Sequence, residues 1–549
     1  MAASLPISGA RSGVTARGWR WTALGIASLL AVPMVTVLAS FLVPASAVWR
    51  HLWQTQLMEL LSNTLLLLAG VGAGTLVVGT GLAWLVVYHQ FPGRRLLEWA
   101  LMLPLAMPAY VLGFVFLGLC DFAGPLQTFL RQTFGPEIRL PELRSGWGVT
   151  LMMTLVFYPY VYLLARAAFY SQGAATLETA RSLGSTPLRA FVRITLPMAR
   201  PALVAGVALT MMEALADFGT VATFGYRTLT EAIYRVWYGM FDRTAATQLA
   251  SGLLCLALAL LVVERRARGR ARFTDTYRRG PGLQPIRLRG WRAALALGSC
   301  LAVLTPGFLL PVGQLGLWTL TTLRAGQIAP AFGTLLGNTI YLAVLATGLA
   351  CLTAIVLAYA SRLSPSPSVR WSTQSAALGY ALPGSVVAVG VLLPLAWLDH
   401  ALLPLLTSLL GYSGGMVLTG SAVGLLFAYL VRFLAVSLHT VDASLTKIPP
   451  SFDDAARSLG AGVGRVLRRV HLPLMRSGLL TALILVLVEV MKEMPATLLL
   501  RPLGLNTLAV EVWQRTSESQ WQEAAVPALA IVAVGILPVL LAVRWSARR

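Results

Sequence analysis

Long apolar runs alternate with short polar, arginine-bearing stretches along the whole of this 549-residue chain. Thr64–Tyr88, Ala246–Val263 and Ala524–Val543 each approach or exceed the roughly 20 residues that cross a bilayer as a helix. The pattern predicts twelve spans, near residues 21–44, 62–88, 97–120, 148–170, 199–222, 244–263, 291–316, 335–360, 374–396, 417–438, 477–499 and 524–544. The first run, Trp21–Leu42, follows Arg11, Arg17 and Arg20 as a secretory signal would. It is long, and no small-x-small cleavage site precedes the next polar stretch, so it reads as a retained helix. Pro311, Pro383 and Pro394 fall inside predicted spans, where neighbouring helices re-satisfy the backbone groups that proline frees.

The polar positions repeat. Ala-Arg-Ser-Leu-Gly occurs at 180–184 and again at 456–460, a shift of 276 (456 − 180). Glu178 and Asp454, Ile194 and Val470, Leu196 and Leu472, and Pro197 and Pro473 match at the same shift. So do Glu213 and Glu489, Asp217 and Glu493, and Trp237 and Trp513. Asn63-Thr64-Leu65 also matches Asn338-Thr339-Ile340, and Leu105–Pro108 is similar to Tyr380–Pro383. The chain is therefore two related halves, 1–263 and 291–549, joined by a linker at 264–290. Six spans per half make both halves enter the membrane from the same side. The expected fold is all-α and integral to the membrane, with parallel repeats about an axis along the membrane normal.

Composition narrows the class. Apolar residues make up 57% of the chain and charged residues 12%, too few to cover a soluble protein of this size. The formal charge of +22 is nearly all arginine, with Lys447 and Lys492 the two lysines. These cations lie in loops between apolar runs, which is the positive-inside pattern and not a nucleic-acid footprint. The region 264–292 holds ten arginines against Glu264 and Asp275, and so belongs on the cytoplasmic side. Alternation then places both termini and the loops 171–198 and 439–476 in the cytoplasm. Cys120, Cys255, Cys300 and Cys351 stand singly in or beside apolar runs, with packing roles and no metal or redox spacing.

The duplicated loop carries the strongest signal. Glu/Asp-x-Ala, a glycine four residues on, and Ile/Val-x-Leu-Pro beyond it resemble the EAA motif of ABC importer permeases. The first copy is Glu178, Ala180, Arg181, Gly184 and Pro197; the second is Asp454, Ala456, Arg457, Gly460 and Pro473. Thr179, Asp454 and Val470 are small departures from the pattern. Glycine permits a tight turn between two short helices, and proline is expected to stop the second one before the next span. The alternative is that Arg181, Arg189, Arg193, Arg457, Arg465, Arg468 and Arg469 only anchor the loops to anionic lipid. The duplicated glycine and proline frame favours docking.

The resemblance implies a type I importer permease of a bacterial inner membrane. It implies two copies of a cytoplasmic ABC ATPase, one per loop, and a periplasmic substrate-binding protein. No nucleotide-binding loop is present here: Lys447 precedes Ile448, Lys492 precedes Glu493, and neither ends a glycine-rich turn. The chain is thus expected to be no enzyme and to hold no cofactor, with ATP and Mg²⁺ used by the partner.

Charged residues within spans are costly and usually functional or paired. Glu213 and Asp217 are four residues apart, so one helix face is expected to carry both; Glu489, Lys492 and Glu493 repeat the arrangement. From Pro197 to Glu213 a helix rises about 24 Å, which puts these acids in the outer half of the membrane. They are candidates for a translocation path that passes a hard cation, or else members of a hydrogen-bonded network in which Lys492 neutralises an acid. Pro108-Ala109-Tyr110-Val111, Phe157-Tyr158-Pro159-Tyr160, Met212–Thr220, Met491–Thr497 and Leu508-Ala509-Val510 resemble the fused permeases of ferric-iron importers. Thiamine permeases share the fused layout, and their cationic cargo suits the same acids. Tyr110, Tyr158, Tyr160 and Tyr162 are candidates for iron contact or, as the simpler reading, for an interfacial aromatic belt. An ion-coupled secondary transporter would use the intramembrane acids but gives no reason for two docking loops. A membrane enzyme lacks a nucleophile–base set, since His51, His89, His400, His439 and His471 are scattered.

Overall fold

A computed structural model describes residues 9–44, 46–172, 186–268, 285–326, 331–411 and 414–547. Among these, eleven helices are long and apolar enough to cross a membrane. They are α1 (Arg17–Leu42), α2 (Leu57–Tyr88), α3 (Ala109–Phe134), α4 (Gly146–Ser171), α5 (Phe191–Ala216), α6 (Arg243–Ala267), α7 (Trp291–Arg324), α8 (Phe332–Leu363), α9 (Gly384–Leu409), α10 (Ala422–Leu445) and α12 (Trp521–Leu540). The twelfth, α11 (Arg476–Met491), is joined to Val463–Leu474 through a 76° bend, and the two pass the same test only together. Twelve spans in chain order agree with the hydropathy pattern.

Two predicted spans are displaced, and proline is the reason. Residues 94–106 do not open α3. They form a short helix, Arg94–Ala100, and a tight turn at Leu103–Ala106 that holds Pro104. Pro108 then takes an extended conformation and caps the new helix that begins at Ala109. In the second half, Pro367–Ala376 and a turn at Ala377–Ala381 occupy the same place, and Pro383 caps the helix from Gly384.

The helices gather into two compact units that do not follow the order of the sequence halves. One unit comprises Met1–Pro44 with Gly333–Leu508, and so holds α1 and α8 to α11. Within it α1 packs on the helix Pro367–Ala376 and on α9, and α10 packs on α11. Gly390 of α9 sits where a Cβ would fall 2.5 Å from the carbonyl oxygen of Pro33 in α1, so the two backbones touch. The other unit comprises Ala45–Phe332 with Ala509–Arg549, and holds α2 to α7 and α12. Its centre is the pair α2 and α4, with α5 against both. In the same unit α7 packs on α12, and Phe114 of α3 stacks between Trp318 of α7 and Trp521 of α12.

A short parallel strand pair, His89–Gln90 with Ile286–Arg287, ties the end of α2 to the end of the linker. The repeat is visible in detail within each unit. Asn63 Nδ2 donates to the Arg227 carbonyl at 3.0 Å, and Asn338 Nδ2 donates to the Asn506 carbonyl at 3.2 Å. Thr64 Oγ1 accepts from the Leu229 amide at 3.1 Å, and Thr339 Oγ1 accepts from the Leu508 amide at 2.9 Å. The shared Asn-Thr dipeptide is thus a clip that holds the loop returning from the carboxylate region.

Candidate functional site: a docking loop and a capped carboxylate

The second copy of the duplicated loop is built on a short helix, Ser451–Ser458, with Asp453 and Asp454 in its first turn and Arg457 in its last. Acids near the amino end and a cation near the carboxyl end both suit the helix dipole. None of its residues is buried. Phe452 and Leu459 are exposed apolar residues beside it, Leu459 at 87%. Asp454 and Arg457 face solvent with them and Ala456 is half-buried. The chain then reverses at Gly460, whose φ of +76° lies in the left-handed region that glycine adopts without strain. The predicted glycine turn between two short helices is therefore present, followed by Val463–Val466. Glu178, Ala180, Arg181 and Gly184 of the first copy lie outside the described residues.

Both prolines of the motif follow a wide π-type turn, at Phe191–Thr195 and Leu467–His471, again 276 residues apart (467 − 191). Pro197 does not stop a helix as expected. It lies inside α5, directly after the π turn, and the helix runs on through it to Ala216. After Pro473 the chain does bend, at Met475, before α11 begins.

The base of the second loop is held by residues that the motif does not include. Arg362, in the last turn of α8, places Nε 2.8 Å from Asp453 Oδ2. Its Nη1 donates to the Leu445 carbonyl at 2.9 Å and its Nη2 to the Ile448 carbonyl at 3.0 Å. His471, only 1% exposed, has Nε2 2.5 Å from the other carboxylate oxygen, Oδ1. Tyr359 meets the His471 ring edge-on at 5.5 Å, and its hydroxyl donates to the Val463 carbonyl at 3.3 Å. The histidines look scattered in sequence, and adjacency to the motif is the one signal that singles out Asp453.

The carboxylates near the ends of α5 and α11 take a different arrangement from the one expected. Helix α5 ends at Ala216, and Asp217 turns into an extended conformation. Its Oδ1 accepts from the Thr220 amide at 2.7 Å and so caps the helix Gly219–Thr223. Glu213 and Asp217 therefore do not share a helix face, because a carboxylate three residues before a free amide forms the better contact at a helix start. The second half repeats this. Helix α11 ends at Met491, Lys492 is its cap, and Glu493 Oε1 accepts from the Ala496 amide at 2.8 Å. Pro495 starts the following helix, Pro495–Leu500.

The second-half acids are paired. Lys492 Nζ lies 2.8 Å from Glu489 Oε1, and Arg432 of α10 lies 3.0 Å from Glu493. The Glu493 side chain is 3% exposed and that of Arg432 14%. Tyr429 and Thr497 close this cluster through a 2.6 Å hydrogen bond between their hydroxyls. Gly384, at the start of α9, lies against it: a Cβ there would sit 2.1 Å from Arg432 Nη1 and 2.7 Å from Glu493 Oε1. The position matching Arg432 in the first half is Val156 (432 − 276), so the buried arginine belongs to one half only. In the other unit, Phe218, next to Asp217, stacks on Tyr234 at 3.7 Å and meets Trp513 at 5.0 Å.

The tyrosines form no interfacial belt. Tyr158 and Tyr162 are fully buried, and their hydroxyls donate at 2.9 Å to the carbonyls of Leu101 and Glu98. They brace the turn before α3 from inside. Tyr110 is buried as well, and Tyr160 is half-buried. Among the described residues, no three or more His, Cys, Asp or Glu side chains are grouped to hold a metal ion.

Known proteins place this architecture. The chain is similar over 501 residues, 90% of its length and 91% of the relative's, to the Fe(3+)-transport system permease protein FbpB 2 of Haemophilus influenzae, at 27% identity. It is 33% identical over 190 residues to the sulfate transport system permease protein CysT of Salmonella typhimurium, covering 34% of this chain and 67% of that one. The molybdenum transport system permease protein ModB of Escherichia coli is 30% identical over 223 residues, 39% of this chain and 93% of its own. A family profile, described as the binding-protein-dependent transport system inner membrane component, matches twice, at residues 70–266 and 352–549. Both matches span one copy of the duplicated loop and the carboxylate cap that follows it. The chain is a multi-pass membrane protein of the binding-protein-dependent transport system inner membrane component family, with two copies of the family's domain in one polypeptide.

Proposed function

We propose that this chain is the permease of an ABC importer for ferric iron. A separate cytoplasmic ATPase pair docks on the two loops, around Glu178–Gly184 and Asp454–Gly460, and supplies the energy. A periplasmic binding protein delivers the cargo, and the termini and loops lie on the cytoplasmic side of a bacterial inner membrane. The observation that carries the iron reading is the end-to-end match to an Fe(3+) permease, 90% of this chain against 91% of the other. The sulfate and molybdenum permeases cover only about a third of this chain. The exposed Phe452, Arg457 and Leu459 beside the Gly460 turn support docking, since an apolar and cationic helix with no buried residue needs a partner surface.

In this mechanism, closure of the ATPase pair draws the loops together, and the membrane helices switch a path between the two sides. Glu213, Asp217, Glu489, Lys492 and Glu493 are proposed to border that path. Two experiments test the reading. In a strain lacking the gene, uptake of radiolabelled iron restored by this chain, with thiamine and sulfate uptake unchanged, is the expected result. Restored thiamine or sulfate uptake without iron would overturn the iron assignment. Gly460→Pro cannot adopt φ +76° and is expected to leave the spans folded but abolish uptake driven by ATP hydrolysis. Vanadate-sensitive uptake at the parent rate would remove the docking role. Glu213→Gln combined with Glu489→Gln is expected to slow iron passage, and normal uptake would assign both acids to structure alone.

A further inference from the structure

We propose that Arg362, Asp453 and His471 form a pin that makes the second docking loop rigid with span α8, a device whose ionisable residues the matched positions of the first half do not carry. The force-transmitting part of this inference rests on the docking reading of that loop. The pin itself does not.

Three pieces of chain converge on one guanidinium. Arg362 contacts the docking helix through Asp453, the end of α10 through the Leu445 carbonyl, and the connecting turn through the Ile448 carbonyl. A planar guanidinium that donates in three fixed directions defines orientation as well as distance, which a lysine at the same place would not. The second carboxylate oxygen lies 2.5 Å from Nε2 of His471, in the π turn that leads into α11. Each oxygen of Asp453 thus lies against a different segment. The Arg362 and Asp453 side chains are 15% and 13% exposed, shielded enough that their attraction is little screened. Tyr359, one turn before Arg362, adds contacts to His471 and Val463 from the same helix.

A simpler account is that Asp453 only favours the helix dipole. Asp454 already does so from the same turn, facing solvent, while Asp453 points inward at two cations or donors. The dipole does not require that direction. The asymmetry is legible in the sequence. In α2, which matches α8 at a shift of 275 (338 − 63), the positions are Trp84 for Tyr359 and Val87 for Arg362; at the shift of 276 that holds for the loops they are Leu177 for Asp453 and Thr195 for His471. None ionises. Among the described residues of the first half, a different ion pair, Glu98 with Arg166, ties α4 to the helix Arg94–Ala100. Motion of a partner at the second loop should thus pass directly into α8.

The test has two arms. In the first, hydrogen exchange is measured on the full chain in lipid nanodiscs. Asp453→Asn, Arg362→Gln and His471→Phe are each expected to speed exchange of the 454–459 amides by about tenfold or more, with α10 unchanged. Arg362→Lys, which keeps the charge but not the two carbonyl contacts, should give a smaller increase. The double variant Arg362→Gln with Asp453→Asn should match the single variants, because one contact network is lost only once. Unchanged exchange in two of the three single variants overturns the pin. His471→Phe retains the ring packing, so it keeps the test decisive if an Arg362 variant fails to fold. In the second arm, the assembled transporter with its ATPase and binding protein is expected to move several-fold less iron per ATP hydrolysed in Asp453→Asn. Parent-like coupling with a mobilised helix would overturn force transmission through the pin. The exchange arm uses neither ATPase nor cargo, so failure of the importer reading would be seen separately from failure of the pin.

Discussion

Replacing Arg432 by glutamine should expose what the buried pair near the end of α11 does. Arg432 and Glu493 are 3.0 Å apart with side chains 14% and 3% exposed, so the arginine is the main compensation for a charge held out of water. Removing one partner of a buried pair costs about 3–5 kcal/mol. Glu493 keeps the Ala496 amide, which as a hydrogen bond to a charged group is worth about 1.5–3 kcal/mol and softens the loss. Neutralisation sets a ceiling. Protonating a carboxyl from its ordinary value near 4.3 costs about 3.7 kcal/mol at pH 7 but only about 1 kcal/mol at pH 5. Arg432→Gln should therefore destabilise by about 2–4 kcal/mol at pH 7 and by about 1 kcal/mol at pH 5. The unit that holds the pair has 220 residues (44 + 176), for which the pH 7 loss corresponds to a fall of about 4–16 °C in midpoint. Thermal unfolding of the purified chain in one detergent, at both pH values and relative to the parent, measures this. Arg432→Gln with Glu493→Gln should recover most of the loss at pH 7, because no buried charge is left unpaired. An equal loss at both pH values, or a double variant as unstable as the single, would refute the reasoning and assign the effect to packing.

Two further outcomes follow from other polar contacts. Asp399 of α9 is fully buried, and its carboxylate accepts from the amides of Val417, Leu418 and Thr419 at 2.7–3.1 Å. Asp399→Ala removes the shared acceptor of three loop amides and should cost about 1.5–3 kcal/mol, with faster protease cutting of residues 414–421 before any global unfolding; uncut loop backbone would refute it. Burial holds His89 below the usual histidine range, so the folded chain favours the neutral ring. Its contribution is then fully present above pH 6.5 and is lost as pH falls below that value and through the lower value of the folded chain, because the unfolded chain takes up the proton first. Tryptic cutting after Arg287, whose strand pairs with His89–Gln90, should be faster at pH 5.5 than at pH 7.5, relative to a control site in the same chain. His89→Phe should abolish that difference, and a difference that persists in the variant would assign it elsewhere.

Much of the architecture was legible in the residues. Twelve apolar runs became twelve helical spans, because a chain without water must satisfy its backbone internally, and helices do this locally. The glycine turn of the second loop was legible too, since the left-handed φ at Gly460 is a property of one residue and its neighbours. The third and ninth spans were misplaced because hydropathy counts Leu103–Ala106 and Ala377–Ala381 as apolar, while the prolines that follow set the true helix starts. Tyr158 and Tyr162 read as belt residues because their position along a helix says nothing about which hydroxyl finds a carbonyl 57 or 64 residues away.

Arg362, Arg432 and His471 carried no motif, and their partners are 91, 61 and 18 residues away in sequence (453 − 362, 493 − 432, 471 − 453). Periodicity and spacing report contacts within a turn or two of helix, so pairs at that separation are invisible to them. The sequence by itself determined the class, the twelve spans, the two repeats and the location of the duplicated loops, because each follows from local hydropathy or from comparison of one segment with another. Only the tertiary structure decided that α1 packs with α8 to α11, that Asp217 and Glu493 cap helices, and that one docking loop is anchored by an Arg–Asp–His contact. The physical reason is that burial of a polar group stabilises only when a partner arrives from another segment, and the choice of partner is made by packing of the whole chain.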